Sequence, residues 1–183
     1  MKKLIWGLLP AAVFAAGLQL DFAPTQTTVR YMVTSTLHTV HGIFRLKRGE
    51  LHFDPAAGTL AGELVVDATS GDSGSGSRDK RMHKEILESA KYPEIVFRPD
   101  RVIGTVAREG ASKVQVHGVL EIHGAQHEIT APAEVRLSAN QAVTKLHITV
   151  PYVDWGMKDA SNFLLKVNRT VEIEVEATAS VRQ

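Results

Sequence analysis

Hydrophobic and polar positions alternate along most of this chain, and the alternation fails over only one long stretch. In Thr27–Ser35 (TTVRYMVTS), Val29, Tyr31 and Val33 oppose Thr28, Arg30, Met32 and Thr34, the pattern of a strand with one buried and one wet face. The same reading predicts strands at His41–Asp54, Leu60–Ala68, Glu94–Ala107, Lys113–His123, His127–Ser138, Ala142–Tyr152 and Arg169–Val181. Gly49 stands where the parity of the second strand changes, which predicts a bulge there. Asp54–Gly58, Arg108-Glu109-Gly110, Gly124-Ala125 and Ser138–Gln141 read as turns, and Asp154–Leu165 as irregular. Strands joined by short turns pair antiparallel, because parallel neighbours need long crossovers. Periodicity fits an eight-stranded barrel or a two-sheet sandwich; closure into a barrel removes the exposed edges.

The exception to the alternation is SRDKRMHKEILESAKYPEIVF, residues Ser77–Phe97. Met82, Ile86 and Ala90 recur every four residues with Leu87 beside them, while Arg81, Lys84, Glu85 and Glu88 fall elsewhere. That is one apolar stripe on a helix, capped at Ser77 or Asp79 and stopped by Pro93. The preceding TSGDSGSGS (Thr69–Ser77) has no core-forming side chain and predicts a mobile surface loop.

The inferred inner face carries Gly62, Ala68, Gly118, Ala131 and Ala133 among its larger residues. So little bulk predicts unfilled space, an apolar cavity inside the sheet. The inward positions expected to line it are Val33, Phe44, Leu64, Val66, Phe97, Val116, Leu120, Ile129, Val135, Ile148 and Val175, with Met82, Ile86 and Leu87 closing it from the helix. Exchange of a ligand is then expected to need movement of the Thr69–Ser77 loop and the helix.

Composition narrows the classes. The 183 residues suit one domain with a targeting segment. A net charge of +1 with interspersed signs argues against a nucleic-acid partner. There is no cysteine, which removes disulfides, thiolate metal sites and cysteine nucleophiles. Met1-Lys2-Lys3, the apolar run Leu4–Ala16 and the small residues Ala15, Ala16 and Gly17 have the form of a secretory signal peptide. Residues 1–17 are therefore expected to be removed, leaving 18–183 as one exported domain, periplasmic or secreted.

Candidate chemistry is sparse. His38, His41 and His83 are the one histidine group that invites a metal-binding or enzymatic reading, although no HExxH-type spacing is present. His117 and His123 point outward by parity and His127 inward. The GDSG in the Ser-rich loop lacks the rigid elbow and positioned base of a nucleophile, and no GK[ST] follows to make a phosphate loop. Asp154 and Asp159 flank Trp155-Gly156 and are expected to shape a loop.

Five segments in order, His41-Gly-Ile-Phe44, Arg78-Asp79, Lys91–Phe97 (KYPEIVF), Val116–Glu128 (VHGVLEIHGAQHE) and Asp154-Trp-Gly156, resemble the YceI-like family, periplasmic lipocalin-like proteins that bind polyisoprenoids. The resemblance runs from about Phe22 to Ser180. It implies an eight-stranded antiparallel barrel, one helix over an end and a lipid chain threaded through the interior, in a protein that is not an enzyme and needs no cofactor. The Gly/Ser stretch Ser70–Ser77 departs from the tighter strand-to-helix connection that the resemblance implies. The expected partner is a long-chain lipid such as a polyisoprenoid, an isoprenoid quinone or a fatty amide. Transient contact of the basic residues Arg78, Lys80, Arg81 and Lys84 with a membrane surface, and a homodimer, are compatible with this reading.

Overall fold

A computed structural model describes residues 17–108 and 110–182. The expected leader, apart from Gly17, and position 109 of the expected Arg108–Gly110 turn lie outside the described residues. Eight strands close into one antiparallel barrel in simple sequence order: β1 (Leu18–Thr34), β2 (Thr39–Asp54), β3 (Thr59–Asp72), β4 (Glu94–Ile103), β5 (Ala111–Ile122), β6 (Ala125–Leu137), β7 (Gln141–Val150) and β8 (Val171–Arg182). Closure comes from β1 pairing with β8, Val29 opposite Val175 and Tyr31 opposite Ile173. Every strand then has two neighbours, and the barrel, rather than the sandwich, is the fold.

Two strands are longer than the alternation suggested. β1 begins at Leu18, nine residues before Thr27, and its first part pairs with Leu51–Phe53 of β2 and with Ala179–Arg182 of β8. It loses register with both neighbours around Pro24, a residue with no amide hydrogen to contribute to a ladder. β3 continues through Asp72 into what read as a mobile loop. Polar side chains do there what apolar ones do elsewhere: the Ser70 hydroxyl donates to the Asp67 carbonyl (2.6 Å) and accepts the Arg45 amide (2.9 Å). Gly71 is buried where a side chain would collide with Phe44 and Met82.

β2 loses register with β3 at two places, between Ile43 and Arg45 and between Leu46 and Arg48, and the second falls just ahead of Gly49. It moves the buried set from Phe44 and Leu46 to Leu51 and Phe53. Gly49 is instead a close-packing position, where an added Cβ would lie 3.0 Å from Cβ of Phe22.

The helical segment is shorter than expected and of two kinds. α1 (Gly76–Arg81) passes directly into a π-helical turn, Met82–Ile86. Its N-cap is Ser75, which makes no side-chain capping bond. Asp79 reaches back instead, accepting from the Ser73 amide (3.0 Å) and hydroxyl (2.6 Å). The Leu87 amide donates to the Met82 carbonyl at 2.9 Å, the i→i−5 bond of a π turn. Helix ends at Glu88, which takes a positive φ of 45°, five residues before Pro93.

A second positive φ locks that end in place. The β5–β6 connection is His123-Gly124, with φ of 53° and 74°, one residue earlier than read from sequence. Nε2 of His123 lies 2.6 Å from a Glu88 carboxylate oxygen, and the Tyr92 ring packs over Gly124, where any side chain would strike it. The helix end and the hairpin thus hold each other.

Candidate functional site

Two apolar clusters divide the barrel interior. Leu20, Phe22, Leu46, Leu51, Phe53, Ala142, Ala177 and Ala179 fill the end away from the helix. The other cluster extends to the helix end and surrounds a cavity of about 520 Å³, within the size range of small-molecule sites. Its deep limit is Phe22, Leu46 and Ala177, members of the filled cluster, so the cavity is blind rather than a through-tunnel. Its mouth lies among Ser35, His38, Ser77, Arg78 and Val167.

The structure puts Val33, Phe44, Leu64, Val66, Phe97, Leu120, Ile148 and Val175 in the wall and Met82, Ile86 and Leu87 across it from the helix. The π turn brings the last three to one side. Val116, Ile129 and Val135 belong to the surrounding cluster without lining the cavity. For Ile129 the reason is a split in the barrel wall. β6 and β7 pair only over Ala133–Leu137 and Ala142–Leu146, so toward the helix end the two strands part. The loop after β7 occupies that gap. Trp155 stacks on His127 of β6 (centroids 3.9 Å apart, planes within 4°), while Tyr152 and Met157 line the cavity. No residue of β6 lines the cavity. Tyr152 closes the stretch read as the seventh strand, in step with Leu146, Ile148 and Val150, whereas Met157 sits in a segment with no period to read.

The small inward residues do not create the space. Ala131 and Ala133 are buried in the packed cluster away from the cavity. Gly118 sits where the β4 backbone comes too close for a side chain, a Cβ being 2.6 Å from Cα of Pro99. Gly62 is exposed with φ of 114°. The cavity is enclosed by β1–β5, β7 and β8 together with the helix and the loop after β7.

Polar groups in the wall gather toward the helix. Tyr31 is buried with its ring 5.3 Å from that of Phe44, lying over Gly42, where a side chain would overlap it. Its hydroxyl has no well-formed hydrogen bond, although Ser73 is near enough to oppose, in part, the rise that burial imposes on its pKa. Tyr152 is likewise raised by burial, and its hydroxyl accepts the Ala160 amide at 3.2 Å. Arg81 and Lys158 both approach Glu85, at 3.6 and 2.7 Å. The hydrogen bond from Lys158 is the main cause holding that carboxyl below its usual range, and it ties the helix to the loop.

His38, His41 and His83 are not assembled into a centre. His83 uses both nitrogens structurally. Nε2 is 3.0 Å from the Gly71 carbonyl, which can only accept, so Nε2 carries the proton and Nδ1 accepts from the Ser89 hydroxyl at 3.0 Å. His38 and His41 are exposed, on the β1–β2 turn and on β2. Among the described residues no group of three or more histidine, aspartate or glutamate side chains could hold a metal ion. Asp154 and Asp159 both pair with Arg169, at 2.7 and 3.8 Å, and so shape their loop.

A UPF0312 protein of Vibrio parahaemolyticus and another of Vibrio campbellii are each 29% identical to this chain over 129 residues, 69% of its length. The match takes up 66% of each relative, so the chain spans just under two thirds of their length. Among solved structures, a polyisoprenoid binding domain from Saccharophagus degradans superposes with a TM-score of 0.68 at 20% identity, over 90% of this chain and 98% of that domain. BcnA of Burkholderia cenocepacia gives 0.73 at 17% identity, over 87% and 99%. The YceI protein of Campylobacter jejuni gives 0.60 at 16%, over 100% and 92%. The sequence model of the YceI-like domain matches residues 20–179, nearly the whole described barrel, and the chain therefore belongs to the YceI-like family.

Proposed function

We propose that this protein is an exported, non-enzymatic carrier or store for one long-chain apolar lipid, a polyisoprenoid, an isoprenoid quinone or a fatty amide. One observation carries the reading: a blind cavity of about 520 Å³ walled by aliphatic and aromatic side chains and open at one end. Such a wall binds by burial, each methylene taken from water being worth ~0.8 kcal/mol. The Saccharophagus degradans neighbour, described as a polyisoprenoid binding domain, supports the same class of ligand. Export to the periplasm or beyond rests on the form of residues 1–17 and predicts a mature N-terminus near residue 16 to 18.

Native mass spectrometry of protein purified from its own source tests the reading. A single co-purifying lipid mass, lost on organic extraction, is expected. A bare chain that also fails to take up dansyl-undecanoic acid or a quinone from solution refutes it.

A further inference from the structure

The end where the cavity opens also carries the most exposed large apolar side chains among the described residues: Leu37 at 76%, Phe163 at 96% and Leu164 at 84%. Single exposed apolar residues are ordinary, but three around one opening form a cluster. They come from two loops that are joined. Ser35 bridges to Val167, and the Thr36 amide donates to the Lys166 carbonyl at 2.9 Å. The tips are also held outward by design of the turn. Asn162 accepts the amides of Leu164 (2.9 Å) and Leu165 (2.8 Å), which leaves Phe163 and Leu164 at its apex. Each tip adjoins the cavity in sequence, Leu37 beside His38 and Leu164 beside Leu165, and both of those neighbours line it.

Charge at this end is unevenly satisfied. Arg81, Lys158 and Arg169 pair with Glu85, Asp154 and Asp159, and Asp79 is bonded to Ser73. Arg78, Lys80, Lys84 and Lys166 have no ion pair among the described residues. Separate apolar tips with unpaired cations nearby suit a fluid anionic surface better than the flat contiguous face of a protein partner.

We propose that this end of the barrel docks on an anionic lipid bilayer, with Leu37, Phe163 and Leu164 inserted among the lipid chains and the unpaired cations at the phosphates. The cavity mouth then meets the acyl region directly, and a lipid passes between bilayer and barrel without crossing water. The proposal rests on the carrier reading and supplies its route of loading.

Flotation with vesicles of phosphatidylcholine, with and without phosphatidylglycerol, tests it, alongside uptake of dansyl-undecanoic acid from solution. The wild type is expected to float with the phosphatidylglycerol vesicles. Leu37→Ser/Phe163→Ser/Leu164→Ser, none of which lines the cavity, should weaken vesicle binding at least about tenfold while probe uptake is unchanged. Lys80→Gln/Lys84→Gln/Lys166→Gln should cost about fivefold per charge and reduce the preference for phosphatidylglycerol. Uptake without vesicle binding by the wild type, or vesicle binding that the serine variant retains, overturns docking and leaves the carrier reading standing. Self-association abolished by the serine variant, in place of vesicle binding, also overturns it. If neither protein takes up the probe, the carrier reading falls and this proposal falls with it.

Discussion

The two ends of this barrel are built from the same kind of alternating strand, yet one is solid and the other hollow. At the far end, Leu20, Leu51 and Phe53 interlock with Ala142, Ala177 and Ala179, large residues against small ones, as a close-packed interior requires. At the helix end, large residues face one another around open space, and the cover is a helix and a loop rather than more strand. Packing is uninterrupted at the filled end, while the other end combines a packed seam with the cavity. A hollow interior survives because the eight-stranded ladder satisfies the backbone all round, independently of what fills the middle.

Substitutions can break this contrast between the ends. Phe53→Ala at the filled end should cost about 3–5 kcal/mol, read by urea denaturation, while folded protein keeps its probe affinity. Ile148→Ala in the cavity wall removes atoms that already border a void, so it should fall toward the low end of the roughly 2–5 kcal/mol range. Equal costs at the two sites would mean that the ends do not differ.

Leu120→Trp fills the cavity from β5 and should reduce uptake of dansyl-undecanoic acid by more than about tenfold with a native circular dichroism spectrum. The same change at Ala133, which lies outside the cavity, should damage packing before binding. Reversal of that order would relocate the site.

A smaller effect is expected at the split between β6 and β7. Trp155→Ala removes a stacked partner worth about 0.5–1.5 kcal/mol beyond its buried area. Hydrogen exchange should quicken at Ile129, Thr130 and His147–Val150, with the filled end unaffected.

The smallest effect is one of pH. Burial lowers the pKa of His127 below its ordinary 6.5, and its Nε2 is buried without a partner. Above about pH 6.5 both folded and unfolded states hold it neutral and its contribution is constant. As pH falls below that, the unfolded chain takes the proton first and stability declines until the folded pKa is passed. Thermal melts from pH 7 to 5 should therefore fall more steeply in the wild type than in His127→Gln.

Much of the architecture was legible residue by residue. The alternation of Val29, Tyr31 and Val33, or of Leu146, Ile148 and Val150, declares which side of a strand is buried whatever it packs against. The lone apolar stripe of Met82, Ile86 and Leu87 located the covering helix. What the alternation could not say was why the interior is open. Counting small residues pointed to Gly62, Gly118, Ala131 and Ala133, but the two glycines stand where a neighbouring backbone comes too close for a side chain and the two alanines in a packed seam. Trp155 and Met157 were invisible as wall residues because an irregular loop has no period to read.

By itself the sequence determined the strands, their buried faces, the helix and the family, because each follows from local spacing or from motifs in order along the chain. The resemblance implied a closed barrel; only the tertiary structure decided the registers in which it closes, that β6 and β7 part near the helix, and that one end is full while the other is not. Those outcomes depend on register and on which distant loop fills a gap, and such long-range pairings leave no periodic trace in the residues that make them.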